Sequence, residues 1–319
     1  MSLLQSLKSR LPSRNWCIFL GTTSTITGLA IYDKYHLRNV RKELDQKAAI
    51  LANEPMQTWE VPRKVKVYVA PTHWARYWFK QYIKPVFDSA ALDYEVVEPK
   101  AAGQIHHTVR DLIWTGKDEQ RALPPGHRYE PNPYAALGNP LERPKYSADE
   151  GLIAVGPNAW REVLRGLKEG ALAERPPPAA VTPVEPTTNA DSEKTDAPSD
   201  TPNDEATATP EPPLELSEHN LPSFPLPQLG YITGRNQSGW TGFPRRVYGW
   251  FTERDTAREI GEEALKVAFG RVREFDVDHD PSLGSKDVYV NKEWSEEQKK
   301  SAESVEIPRT VGEKLYIYN

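Results

Sequence analysis

Strand-like and helix-like patterns alternate along this chain, and that alternation restricts the folds open to it more than any other feature. "VPRKVKVYVAP" (61–71) alternates and then runs apolar into Pro71, as a strand does. "WARYWFKQYIKPVFDSA" (74–90) reads as a helix with Trp74, Trp78 or Tyr77, Tyr82 and Val86 toward one face, bent or shortened by Pro85. "LDYEVVEP" (92–99) is a second strand. "GQIHHTVRDLIWTG" (103–116) is a second helix burying Ile105, Val109, Leu112 and Ile113, with Gly116 as its stop. "LIAVGPNAWREVLRGLKEG" (152–170) adds a third strand, a turn at Gly156-Pro157 and a third helix, with Asn158 where an N-cap would sit. Strands separated by helices predict a parallel sheet with helices packed on it, an α/β fold.

Residues 118–150 are rich in Pro, Arg and Tyr and form a long excursion. From Pro176 to Pro213 the chain holds ten prolines, eight acids and one lysine, too little apolar surface to offset chain entropy, so a disordered insert is expected over 176–225. The fold resumes from 226. A helix is expected from Thr252 as N-cap, with Asp255 three residues on, an apolar face of Ile260, Ala264, Val267 and Ala268, and Gly270 as stop. "GRVREFDV" (270–277) and "KLYIYN" (314–319) read as short strands.

The N-terminus bears on location. Residues 1–15 carry Lys8, Arg10 and Arg14 without an acid, a composition like a transit peptide or the flank of a membrane segment. "WCIFLGTTSTITGLAIY" (16–32) contains no charge and is expected as a single transmembrane helix, with Trp16 and Tyr32 as interfacial anchors. A cleaved secretory signal is disfavoured, because "LAIYDKYHL" offers no small-x-small site. Gly21, Thr25 and Gly28 share one face and would let a partner helix approach closely. Lys8, Arg10 and Arg14 precede the stretch and Lys34, Arg38, Arg41 and Lys42 follow it, so charge does not decide the topology. Leu37, Val40, Leu44 and Leu51 continue a helical stripe, expected over 33–60 either as a juxtamembrane stalk packed against a neighbour or as a solvated linker helix. The α/β domain then occupies 61–175 and 226–319.

Motifs for chemistry are sparse. The single cysteine, Cys17, excludes internal disulfides and Cys-rich zinc sites. His106 and His107 are adjacent on one helix, are expected to point in different directions, and offer no metal spacing. No Walker, Rossmann, Gly-x-Ser-x-Gly or His-Glu-x-x-His motif is present. Asp276, Asp278 and Asp280 open like a calcium loop and meet Asp287 at the twelfth position. Pro281 stands where position six needs glycine, so a solvated acidic turn is expected instead. Arg245 and Arg246, among Phe243, Tyr248, Trp250 and Phe251, suit either an acidic partner or carboxylates at the start of the next helix. A net charge of −5 gives no drive toward nucleic acid. No catalytic, cofactor-binding or metal residue is assigned.

Several segments, in order, resemble the fungal mitochondrial inner-membrane translocase subunit family Tim-fifty-four. They are "RLPSRNW" before the uncharged stretch, "YDKY" after it, "VPRKVKVYVAP", "IKPVFDSAALDYEVVEP", the glycine strand–helix at 151–166, an acidic insert and "GFPRRVYGWF". The resemblance runs from about Leu11 to the C-terminus. It implies an N-terminal segment (1–15) in the matrix and a main domain in the intermembrane space. It also implies a structural role in assembling the carrier translocase, which inserts polytopic inner-membrane proteins. The implied partners are other translocase subunits, small intermembrane-space chaperones, carrier precursor proteins and the inner membrane.

The element order also resembles the diacylglycerol kinase-like domain, including acylglycerol kinases. That family's third strand ends in Gly-Gly-Asp-Gly-Thr, where this chain has Gly156-Pro157-Asn158-Ala159-Trp160. Pro157 removes an N–H, no carboxylate is left for magnesium, and Trp160 adds bulk where phosphate must approach. At the first strand, Ala70-Pro71-Thr72-His73-Trp74 lacks the family's glycines. A degenerate, non-catalytic scaffold without a cofactor is therefore expected; the alternative is a membrane-tethered lipid kinase of that class.

Overall fold

The computed structural model describes residues 13–55, 63–122, 151–176, 215–235, 237, 242–288, 290 and 292–319. Residues 1–12 of the basic N-terminus, 123–150 of the excursion and 177–214 of the acidic insert lie outside the described residues. The elements are α1 (Arg14–Ala52), β1 (Lys64–Val69), α2 (His73–Trp78), a π turn (Phe79–Ile83), α3 (Lys84–Ser89), β2 (Asp93–Val97), α4 (Gln104–Ala122), β3 (Gly151–Val155) and α5 (Pro157–Leu172). They continue through β4 (Leu229–Ile232), α6 (Phe243–Phe269), β5 (Val272–Glu274), α7 (Glu296–Ser301), α8 (Arg309–Gly312) and β6 (Tyr316–Tyr318), with short 3₁₀ turns between them.

One sheet of order β2-β1-β3-β4-β6-β5 carries the core. β3 lies between β1 and β4, in register Val67↔Ile153 and Ile153↔Gly230, and all five of its residues are buried. Five strands run parallel, but β5 pairs antiparallel with β6. The sheet is thus mixed rather than parallel throughout. β5 has three residues, all exposed, so no buried side encodes its direction in the sequence.

Pro85 shows how local chemistry shapes the first crossover. It lacks the N–H that would close an α-turn, and the wider π turn Phe79–Ile83 directly precedes the segment that begins at Lys84. Helix continuity is kept, so Trp78, Phe79, Tyr82, Ile83, Val86 and Phe87 all reach the core. α4 runs through Gly116, the expected stop, to Ala122. Its last turns are tied to the end of α5: Trp114 Nε1 donates to the Ala173 carbonyl at 3.1 Å and Lys117 Nζ to Ala171 at 2.7 Å. Those contacts outweigh the modest cost of an interior glycine.

No helix among the described residues is long and apolar enough to cross a membrane, which corrects the expected span at 16–32. That stretch is helical as part of α1. However, five hydroxyl residues and two glycines dilute it, and Arg14 and Asp33 bound it, short of the roughly 20 apolar residues a span needs.

The second half of α1 is part of the core. Asp33, Leu37, Val40, Leu44 and Ala48 fall on one buried stripe, and Leu44 fills the space over Gly261 of α6 where a Cβ would stand. α6 is kinked at Thr252, whose φ of −134° and ψ of 22° are not helical. Helix lies on both sides, so Thr252 marks a break inside a longer helix and not its beginning. The cap comes from another element: the Glu253 N–H donates to Asp33 Oδ2 at 3.2 Å, and Arg254 Nε lies 3.8 Å from Asp33 Oδ1. Glu253 in turn accepts from Lys34 Nζ, from the Tyr77 hydroxyl at 2.9 Å and from the Tyr82 hydroxyl at 2.6 Å. Burial opposes ionisation of Glu253, but these donors outweigh it and hold its carboxyl below the usual range. Arg41 lies over the Tyr82 ring at 5.1 Å and Arg254 over Tyr32 at 5.4 Å.

Two substitutions test this junction by urea unfolding. Asp33→Ala leaves the Glu253 N–H without its acceptor, removes one of the two carboxylates beside Arg254, and should cost about 1–3 kcal/mol. Leu44→Ala should cost about 2–5 kcal/mol. Wild-type midpoints for both would mean that α1 is not bound to α6 in solution.

Candidate docking surface and sheet crevice

In an open α/β sheet, ligands settle where neighbouring crossovers leave in opposite directions, beyond the carboxyl ends of the strands. Here that place lies between β1 and β3, and its walls are Ala70, Thr72, Trp74, Ala75, Gly156, Pro157, Asn158, Gly234 and Asp287. The space left is about 10 Å³, at the margin for one water molecule. Gly156 has φ of +87°, and a Cβ on Gly234 would fall 2.8 Å from the Gly156 Cα. The freedom of both glycines is therefore spent on backbone-to-backbone contact.

Below the turn, Trp160 is fully buried. Its Nε1 donates to the Asp280 carbonyl at 2.9 Å, and its ring lies 5.7 Å from that of Tyr231. Glu162, on the same helix, accepts from the Gly103 and Ile105 N–H groups at 2.8 and 3.0 Å and so caps α4. Sequence reasoning missed that role, because a cap supplied from 57 residues away leaves no local pattern.

Just past β4, Glu263 of α6 accepts from both the N–H and the hydroxyl of Thr233, the latter at 2.9 Å. Burial pushes its carboxyl up to about 7, against the lowering effect of those Thr233 bonds.

The residues singled out for partner binding lie on two elements that meet at the Asp33–Glu253 junction. A Cβ at Gly21 or Gly28 would meet nothing within 4 Å, so that face of α1 is open. Thr25 turns its hydroxyl back to the Gly21 carbonyl at 2.8 Å, which leaves its methyl to the surface. Arg245 and Arg246 sit on the first segment of α6. Arg245 bridges to Asp287 at 2.7 Å, a residue of a 3₁₀ turn and not of the following helix, and Arg246 lies over Phe243 at 5.8 Å.

Among the described residues no group of three or more His, Cys, Asp or Glu could hold a metal ion. The acidic turn is only partly solvated. Asp280 is buried, gives both oxygens to Arg273 at 2.9 and 2.5 Å, and accepts the Asp276 N–H at 2.8 Å. His106 and His107 do not diverge as expected; their rings lie 3.7 Å apart. Burial, then the neighbouring His107, Arg165 and Arg110, push His106 down to about 3.

Glu263 makes stability depend on pH. Its folded-state value is raised, so the stabilisation is complete below the usual glutamate value of 4.5 and is lost as pH rises through about 7. The loss is on the order of 3 kcal/mol at most. Denaturant midpoints of the wild type should fall across that window, and those of Glu263→Gln should stay flatter. Equal slopes would rule out Glu263 as the cause.

Residues 1–221, more than half of the chain, match the family described as "Inner membrane protein import complex subunit Tim54". Three similar proteins are named mitochondrial import inner membrane translocase subunit TIM54. The one from Yarrowia lipolytica is 38% identical over 125 residues, 36% of this chain and 21% of its own length. The one from Aspergillus oryzae is 27% identical over 297 residues, 83% of this chain and 66% of its own. The one from Schizosaccharomyces pombe is 30% identical over 173 residues, 53% of this chain and 47% of its own. The chain thus spans between about a fifth and two thirds of the length of these relatives. By the extent of the family match, the chain belongs to the Tim54 family of inner membrane protein import complex subunits.

Proposed function

We propose that this chain is a structural subunit of the mitochondrial inner-membrane carrier translocase, supporting assembly and stability of the complex and insertion of polytopic inner-membrane proteins. The carrying observation is the filled crevice: where this topology would receive a ligand, Gly156, Gly234 and Pro157 leave about 10 Å³. Residues 61–175 and 226–319 then serve as one α/β body that docks partners and makes no bonds. It faces the intermembrane space, where small chaperones and carrier precursors reach it. Attachment to the other subunits runs through the open Gly21–Thr25–Gly28 face of α1, where small side chains admit a neighbouring helix.

The lipid-kinase alternative needs room for a polyphosphate and a carboxylate for magnesium at the same crevice. The crevice leaves about 10 Å³, and Asp287, the carboxylate among its described walls, is bridged to Arg245 at 2.7 Å.

Gly28→Leu should reduce co-purification with the other translocase subunits roughly tenfold, read as complex size on native gels. An unchanged complex would remove the helix-packing part of the proposal. Magnesium-ATP titrated into the full chain, which keeps the α1 wall of the core, should give no saturable binding. A saturable isotherm would overturn the non-catalytic reading.

A further inference from the structure

The first segment of α6, residues 243–251, has no role in the core, yet it carries an unusual concentration of large side chains. Phe243, Tyr248 and Trp250 are 51%, 67% and 64% exposed. The kink at Thr252 separates this segment from the packed part of α6. Arg254 over the Tyr32 ring and the Glu253 N–H on Asp33 place it beside the middle of α1, where Tyr32 and Tyr35 are also exposed. Exposed aromatics thus stand on both helices, Tyr32 and Tyr35 on α1 and Phe243, Tyr248 and Trp250 on α6. N-terminal to Tyr32, α1 also exposes Trp16, Ile18, Phe19, Leu20, Ile26 and Leu29.

We propose that residues 243–251, together with Tyr32 and Tyr35, seat the protein on the headgroup region of an acidic phospholipid bilayer. Tyr and Trp favour that zone because one end of each ring is apolar and the other hydrogen-bonds. Charge points the same way. In a chain of net charge −5, residues 13–32 and 242–252 hold three arginines, Arg14, Arg245 and Arg246, and no acid. Such a surface meets a negative one favourably and a zwitterionic one less so. The proposal concerns contact with the lipid surface and does not depend on which subunits bind α1.

Full-length chain is mixed with vesicles of zwitterionic phospholipid, with or without an acidic phospholipid, and partition is read by flotation. A fluorophore at position 250, as Trp250→Cys in a Cys17→Ser background, reports the local environment. Preferential flotation with acidic vesicles, weakened by salt, together with a blue shift at position 250, is the expected result. Phe243→Ser with Tyr248→Ser should lower partition about tenfold. Both residues are more than half exposed, so the thermal midpoint should hold and separate lost contact from lost fold. A probe at 250 that stays unshifted while the chain floats would overturn the proposal, as would equal partition into both vesicle types. So would a shift that appears only when other translocase subunits are added, which would make the segment a protein interface. None of these outcomes bears on complex size in the Gly28→Leu comparison, so the two proposals fail separately.

Discussion

The buried carboxylate of Asp33 joins the two longest helices among the described residues. It sits mid-way along α1, where a charge has no intrahelical partner, and it accepts the N–H exposed by the kink in α6. Glu253, next along, is held by Lys34 on α1 and by Tyr77 and Tyr82 on the first crossover. Three separate stretches thus meet in one network, in which Asp33 Oδ2 takes the Glu253 N–H and Asp33 Oδ1 meets Arg254 only at ion-pair distance, 3.8 Å. Truncating one member leaves the rest buried and unmatched, which costs more than any single bond contributes. The apolar contacts of Leu37, Val40, Leu44 and Ala48 follow from that registration.

The crevice illustrates how a fold keeps its geometry while its chemistry is displaced. Strand, glycine turn and helix N-terminus are all present, and the turn and the helix N-terminus together would favour an anion. Their inward space is taken by Gly234, and the depth below them by Trp160. Pro157 at the first helical position removes one of the N–H groups that would face a phosphate.

Much of this was legible in the sequence where periodicity was strong. β1, β2, β3 and the helices after them show two- or 3.6-residue patterns, and Pro157 with Trp160 already argued against a phosphate site. Less was legible where the determinant lies far along the chain. The start expected at Thr252 became a kink, because nine preceding residues are helical and Asp33 caps the second part. β5 has no buried face to orient it. The uncharged stretch at 16–32 overstated its own hydrophobicity: absence of charge is not the same as apolarity when five of the residues are hydroxylated. The capping role of Glu162 and the backbone contact of Gly156 with Gly234 left no local trace at all.

The partnership of Asp33 with Glu253 also orders events in time. The two residues are 220 positions apart, so the loop that they close spans most of the chain. Closing so large a loop is slow compared with forming a helix or a neighbouring strand pair. α1, made first, must wait with its apolar stripe uncovered until the last third of the chain arrives. A nascent or partly threaded chain that ends before residue 253 cannot complete its own core. During that interval it exposes the surface that aggregates, or that a holding partner can shield.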